Sequence, residues 1–192
     1  MCEYGGPLID LNINKRERLD IMKCLLKVLY KAALVCGADY IEIRSPLDSY
    51  VRKCIVNFGF RPTRLYVTFE IDLNQKVDVL WRSLNKKVRN AIRKAIKSGV
   101  EVVEGYTKRH IRIFYELYLL TQKKHGTPPD SMKFFEKIFD LFKDKAKLFI
   151  ALLDDNPIGA VLIMEFGRRL YWRAGVMNDK YRSFNPTYLL LW

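Results

Sequence analysis

Between Leu148 and Val176 three apolar runs of strand length follow one another across two short breaks, Asp154-Asp155-Asn156-Pro157 and Gly167-Arg168-Arg169. Breaks this short leave no room for a crossover, so the neighbouring runs must pair antiparallel. A meander of this kind needs other elements against its apolar faces, and the rest of the chain offers helices. From Arg16 to Cys36 apolar residues recur at helical spacing (Leu19, Met22, Leu25, Leu26, Leu29, Ala33, Cys36), and Gly37 is placed to end the helix. The spacing predicts further helices over Asp48–Phe58, Val77–Leu84, Lys86–Lys97, Lys108–Lys124 and a segment N-capped by Ser131. Short strands are predicted at Tyr40–Arg44, at Arg64–Leu73, where apolar and polar residues alternate, and at Val100–Val103. The expected class is therefore α+β, with mainly antiparallel sheets flanked by helices. A coarse symmetry between helix-and-strand halves puts a boundary near Leu73–Val77, giving parts 1–74 and 75–192.

Hydrophobic residues make up 49% of the 192, enough for a packed core and too many for a disordered tail. The apolar runs are too short to span a bilayer, and Glu3 and Asp10 interrupt any signal-peptide pattern. The expectation is a soluble cytoplasmic protein. Cys2, Cys24, Cys36 and Cys54 form no Cys-x-x-Cys pair, and His110 and His125 are too few for a histidine metal site, so no metal is expected. Cys24 and Cys36 fall in an apolar helical pattern and are expected to be buried thiols. The apolar end Leu189–Trp192 asks for a partner element, and the reading is of a truncated C-terminus that associates with itself or with a missing partner chain.

The net charge of +13 draws polyanions or serves only as a solvated surface. It is concentrated in KKVRNAIRKAIK, Lys86–Lys97. There Val88, Ala91, Ile92, Ala95 and Ile96 form one arc of a helix, and cations with Asn90 fill the other without an acid. Like charges four residues apart repel, and a bound anion relieves them. Arg89 and Arg93 are the candidate fork donors to a phosphate. The alternative is a solvated basic face.

In the last strand, strict alternation puts Tyr171, Arg173 and Gly175 on one face and Trp172, Ala174 and Val176 on the other. The loop after it, Asn178–Pro186, carries Lys180 and Arg182 and opens a helix, an arrangement that suits a phosphate. The competing reading is an ordinary turn with Ser183 or Asn185 as N-cap and Pro186 as first helical residue. His125, in Gln122–Pro129, is a candidate general base or substrate contact, or merely solvated. No Gly-x-Ser-x-Gly, P-loop or Gly-x-Gly-x-x-Gly is present, which argues for direct acyl transfer over covalent catalysis.

Several phrases stand in a familiar order. LNKKVRNAIRKAIKSGVEV, FYELYLLTQKKHGTPPDSMKFF and LYWRAGVMNDKYRSFNPTYLLLW resemble, in turn, the basic helix, the next two helices and the strand–loop–helix of the second domain of the Fem family of peptidyl and aminoacyl transferases; YGGPLID resembles a phrase of its first domain. The resemblance implies two GNAT-type domains (the acyl-CoA N-acyltransferase fold) facing each other across a cleft, each represented here in part. It implies transfer of an acyl or aminoacyl group, from acyl-coenzyme A or aminoacyl-tRNA and without a tightly bound cofactor, to an amine acceptor such as that of a cell-envelope precursor. Carried over by position, Arg173, Lys180, Tyr181, Arg182 and Asn185 are implied for the cleft, with Lys124 and His125 bordering the acceptor side. Arg173, Tyr181 and His125 are the catalytic candidates, the others binding candidates. Residues 180–185 lack the glycines of the usual GNAT pyrophosphate loop, which favours a tRNA-linked donor or a degenerate site. The alternative is a non-catalytic basic module binding RNA or another polyanion, or an inactive remnant of such an enzyme.

Overall fold

The computed structural model describes residues 9–10, 12–44, 49–63 and 69–192. The chain divides into two compact units, Met1–Glu70 and Ile71–Trp192.

The first unit holds α1 (Lys15–Val35) and α2 (Ser49–Asn57). Asn14 caps α1 by accepting from the amides of Arg16 and Glu17. Met22 and Leu26, one turn apart, form the buried stripe of α1 and cluster with Cys54 of α2. The expected buried thiols are reversed: Cys24 and Cys36 are exposed and Cys54 is buried. Positions flanking the narrow Met22–Leu26 stripe turn outward, so a sequence pattern broad enough to include Cys36 overstates what one helix buries. The segment Tyr40–Arg44 is not a strand; only Arg44 makes an isolated bridge. Of the alternating run 64–73, residues 64–68 lie outside the described residues, and 69–73 are neither helix nor strand.

The second unit follows the predicted order closely. It runs α3 (Val77–Ser83), α4 (Lys86–Lys97), β1 (Glu101–Gly105), α5 (Lys108–His125), α6 (Met132–Phe142), β2 (Ala146–Leu153), β3 (Asn156–Phe166), β4 (Arg169–Met177), a 3₁₀ turn over Asp179–Phe184 and α7 (Pro186–Leu191). The four strands form one antiparallel sheet in the order β1-β2-β3-β4. Local chemistry sets the helix ends. Thr107 and His110 form a capping box at the start of α5, Ser131 caps α6, and Gly126 ends α5 in the left-handed conformation.

Each face of the sheet has its own core. On one side α5 and α6 bring Ile111, Phe114, Leu117, Tyr118, Phe135 and Ile138 against Leu148, Ile150, Ala160, Leu162 and Val176. On the other, Ala95 of α4 and Leu190 of α7 pack with Val100, Ala151, Leu153, Ile158 and Val161. Burial of β2 and β3 on both faces explains why they read as nearly unbroken apolar runs.

Strict alternation fails in β4. Leu162 pairs with Ala174, but the next residue of β3, Ile163, pairs with Trp172. Arg173 is the extra residue of a β-bulge, which re-aims the side chains on one side of it. Ala174 and Val176 pack on the α5–α6 side. Arg173 joins them there, reaching Asp130 and the Phe134 ring. Trp172 instead shares the face of Gly175, where a Cβ would lie 2.2 Å from its ring. The expected grouping of Arg173 with Gly175, and of Trp172 with Ala174, is therefore overturned by one inserted residue.

Candidate functional site

The C-terminal half of α5, the loop into α6, the end of β4 and the turn after it converge on one side of the sheet. Two polar clusters occupy this place.

The first is centred on Asp130. Its Oδ2 lies 3.5 Å from Nη2 of Arg173 and accepts from the Tyr118 hydroxyl at 3.3 Å, while its own backbone N–H donates to that hydroxyl at 3.2 Å. The Arg173 guanidinium lies over Phe134, 5.5 Å from the ring centre, a cation–π contact. Tyr118 is buried against Phe114 and Phe135. Burial raises its phenol above the ordinary value, because the phenolate loses water there. Asp130 thus ties β4, α5 and the start of α6 together.

The second cluster joins α5 to the turn after β4. Nζ of Lys124 lies 2.7 Å from one Asp179 oxygen and donates to the other at 2.9 Å. That bond holds the Asp179 carboxyl below its ordinary value; partial desolvation works against it, and the nearby charges of Arg182 and His125 act with Lys124. Asn178 sets up the turn: its backbone N–H donates to the Ile158 carbonyl and its side chain accepts from the Lys180 amide. Lys180 and Arg182 are exposed, whereas Tyr181 is half-buried, packing with Phe184 on the opposite core. Asn185 takes a left-handed φ of 59° with no capping bond from its side chain, and Ser183 makes no cap either. Pro186 occupies the first turn of α7, as the turn reading expects.

Of the candidate residues, Lys124, His125 and Arg182 gather around Asp179, with Lys180 next to it in the turn; Arg173 stands in the adjoining Asp130 cluster. Arg89 and Arg93 are elsewhere. From α4, Nη1 of Arg89 donates to the carbonyls of Arg82 and Leu84 at 2.9 and 3.0 Å, closing the C-terminal end of α3. Arg93 is exposed and lies over Trp81, 5.3 Å from the ring centre. Sequence reasoning missed Asp130, Asp179 and Tyr118. The two acids stand beside candidate basic segments, and a carboxylate near a run of cations is the signal that was available.

Among the described residues no group of three His, Cys, Asp or Glu side chains can hold a metal, and no helix is long and apolar enough to cross a membrane. A groove of about 650 Å³ in the first unit is lined by apolar and aromatic residues, including Tyr30, Leu34, Tyr40, Phe58 and Phe60, and by none of the candidate site residues.

Comparison with known proteins supports the sequence resemblance. A curated relative, UDP-N-acetylmuramoylpentapeptide-lysine N(6)-alanyltransferase of Weissella viridescens, is 23% identical over 94 residues, which cover 48% of this chain and 28% of the relative. The crystal structure of FemX superposes with a TM-score of 0.67 and 16% identity, covering 90% of this chain and 63% of FemX. The chain thus spans less than two thirds of either relative. The mixed helical and antiparallel-sheet architecture described above is that of FemX. The FemAB family model matches residues 56–157, just over half of the chain, a span that takes in α5 and α6 with Tyr118, Lys124, Asp130 and Phe134: the chain belongs to the FemAB family.

Proposed function

We propose that the chain forms part of a transferase that moves an acyl or aminoacyl group from an activated donor to an amine acceptor, on a GNAT-type fold divided near residue 74. The observation that carries this reading is the Lys124–Asp179 bridge, which draws the end of α5 and the basic turn Lys180–Arg182 together. The bridge neutralises Asp179 and leaves Lys180 and Arg182 exposed for an anionic donor.

In the reaction, the acceptor nitrogen attacks the donor carbonyl carbon. A C–N bond forms, the ester or thioester bond breaks, and the leaving oxygen or sulfur takes a proton. The attacking amine must first lose its own proton, and His125, at the exposed end of α5, is the base assigned to that step. Arg173, fixed in orientation by Asp130 and Phe134, is assigned to the negative charge that develops on the carbonyl oxygen or on the acceptor. Tyr181 and Asn185 shape the turn that presents Lys180 and Arg182.

An aminoacyl-tRNA donor is favoured over acyl-coenzyme A. Residues 180–185 contain no glycine, and Asn185 fills a left-handed position where glycine gives closer backbone approach. The named activity of the alanyltransferase relative points the same way, to an aminoacyl group and a lysine amine of a cell-wall precursor.

The test is binding of acetyl-coenzyme A and of a charged tRNA, side by side, to the chain and to its Arg182→Ala variant. Loss of a charge-assisted phosphate contact is expected to weaken the true donor roughly tenfold or more. Unchanged affinity for both donors would remove the assignment of the turn.

A further inference from the structure

We infer that the outer face of α4, with the Arg93–Trp81 stack beside it, is a docking surface for single-stranded RNA. This goes beyond the transfer reading, since no step assigned above uses α4.

Residues 79–100 contain no acid, and they carry Arg82, Lys86, Lys87, Arg89, Arg93, Lys94 and Lys97. The structure separates the roles of these cations. Arg89 is engaged by the carbonyls that end α3. Lys86, Lys87, Arg93, Lys94 and Lys97 are exposed, and none of the four lysines is ion-paired with a described acid. Lys86, Asn90, Arg93 and Lys97 fall within about 60° of one another around the helix, a polar row roughly 16 Å long by helix rise. Self-repulsion along this row goes unrelieved within the described residues; a strand of phosphates would relieve it.

Two features select RNA over other polyanions. Ile92 and Ala95 of α4 are buried, 1% and 0% exposed, and of the apolar arc only Ile96 stands exposed, too little apolar surface for the helix to lay into a lipid surface. And Arg93 is stacked on Trp81, itself packed on Trp192 at 4.9 Å. A guanidinium plane held from behind by an aromatic ring presents a stacking surface to an unpaired base. A duplex hides its base faces and would use only the charges.

The experiment is fluorescence anisotropy of a labelled mixed-sequence 12-nucleotide RNA with the full chain across a salt series. Inorganic polyphosphate serves as a charge-only competitor, and phosphatidylserine vesicles are tested in a separate sedimentation assay. Five exposed cations predict a slope of log K against log salt of about −3.5. The double variant Lys94→Glu/Lys97→Glu should bind at least tenfold more weakly, with a slope nearer about −2. Arg93→Lys keeps the charge and loses the plane; it should weaken RNA about fivefold and leave polyphosphate binding unchanged. Circular dichroism checks the fold, and Lys86→Gln/Lys87→Gln at the other end of the helix gives a second reading if the reversal variant unfolds. RNA affinity insensitive to both pairs of lysine substitutions overturns the inference. So does displacement of RNA by polyphosphate at equal phosphate concentration, an Arg93→Lys variant with full RNA affinity, or binding to the vesicles in preference to RNA. Because Arg182→Ala leaves this face untouched, failure here and failure of the donor-site assignment are read separately.

Discussion

Arg173 meets Asp130 at 3.5 Å because an extra residue in β4 turns its side chain toward α5 and α6. Without that bulge the guanidinium would face the core formed by α4 and α7, and Asp130 would lose its partner from β4.

The Asp130 cluster should show as coupled stability. Asp130→Ala breaks a half-exposed ion pair, worth under about 1 kcal/mol, and leaves the buried Tyr118 hydroxyl short of a partner, adding about 1 kcal/mol or more. Denaturant unfolding of Asp130→Ala, Tyr118→Phe and the double variant is expected to give a non-additive cycle. Strict additivity would mean that the two side chains do not interact in solution.

Tyr118 also predicts an alkaline response. Its folded pKa is raised by burial, so the unfolded chain releases this proton first. Stability contributed by the neutral phenol is present below the ordinary tyrosine value and falls as pH rises through the raised one. Ultraviolet titration should find one of the eleven tyrosines ionising late, and Tyr118→Phe should abolish that late component.

The Asp179 carboxyl behaves in the opposite sense. Its pKa is lowered, chiefly by the Lys124 hydrogen bond. The pairing is therefore present above the ordinary carboxylate range and lost as pH falls through the depressed value. Carboxyl NMR titration should place Asp179 below the other exposed aspartates, and Lys124→Met should move it upward. An unmoved Asp179 in that variant would show that the bridge does not hold the turn to α5.

Arg89→Ala is expected to cost about 1–2 kcal/mol in chemical denaturation, because two carbonyls at the end of α3 lose a charged donor. The same substitution should change RNA affinity far less than reversal of Lys94 and Lys97. A fall in RNA affinity equal to that of the reversal variant, with stability intact, would return Arg89 to the group of anion-binding residues.

Gly159→Ala tests the packing beneath the site. A Cβ there would lie 3.3 Å from the Val176 carbonyl and close to Leu190 and Pro186. Backbone on one side and α7 on the other leave little room to yield, and overpacking of about 1–3 kcal/mol is expected in thermal or chemical unfolding.

Much of the second unit was legible residue by residue. The apolar arc of Lys86–Lys97 gave α4 with its observed bounds, Ser131 marked the start of α6, and two short breaks gave the β2–β3–β4 meander. These are local signals: a helix period, a cap and a tight turn are each written within a few neighbouring residues. The first unit was less legible. Cys24 and Cys36 carry an apolar pattern that the fold leaves exposed, and the alternation reaching Leu73 leads to no strand over residues 69–73, because a strand exists only where another backbone pairs with it.

The sequence by itself determined the class of fold, the order of elements in the second unit, the basic character of α4 and the family to which the phrases belong, since periodicity, turn chemistry and charge act over short range. Tertiary structure alone decided where the chemistry points. The bulge that turns Arg173 depends on its register against Leu162 and Ile163; the Lys124–Asp179 bridge joins residues far apart in the chain; and Arg89 and Arg93, alike in the sequence, part because one meets the end of α3 and the other the face of Trp81. Each outcome depends on which distant backbone or ring arrives beside the residue, and only packing of the whole unit sets that.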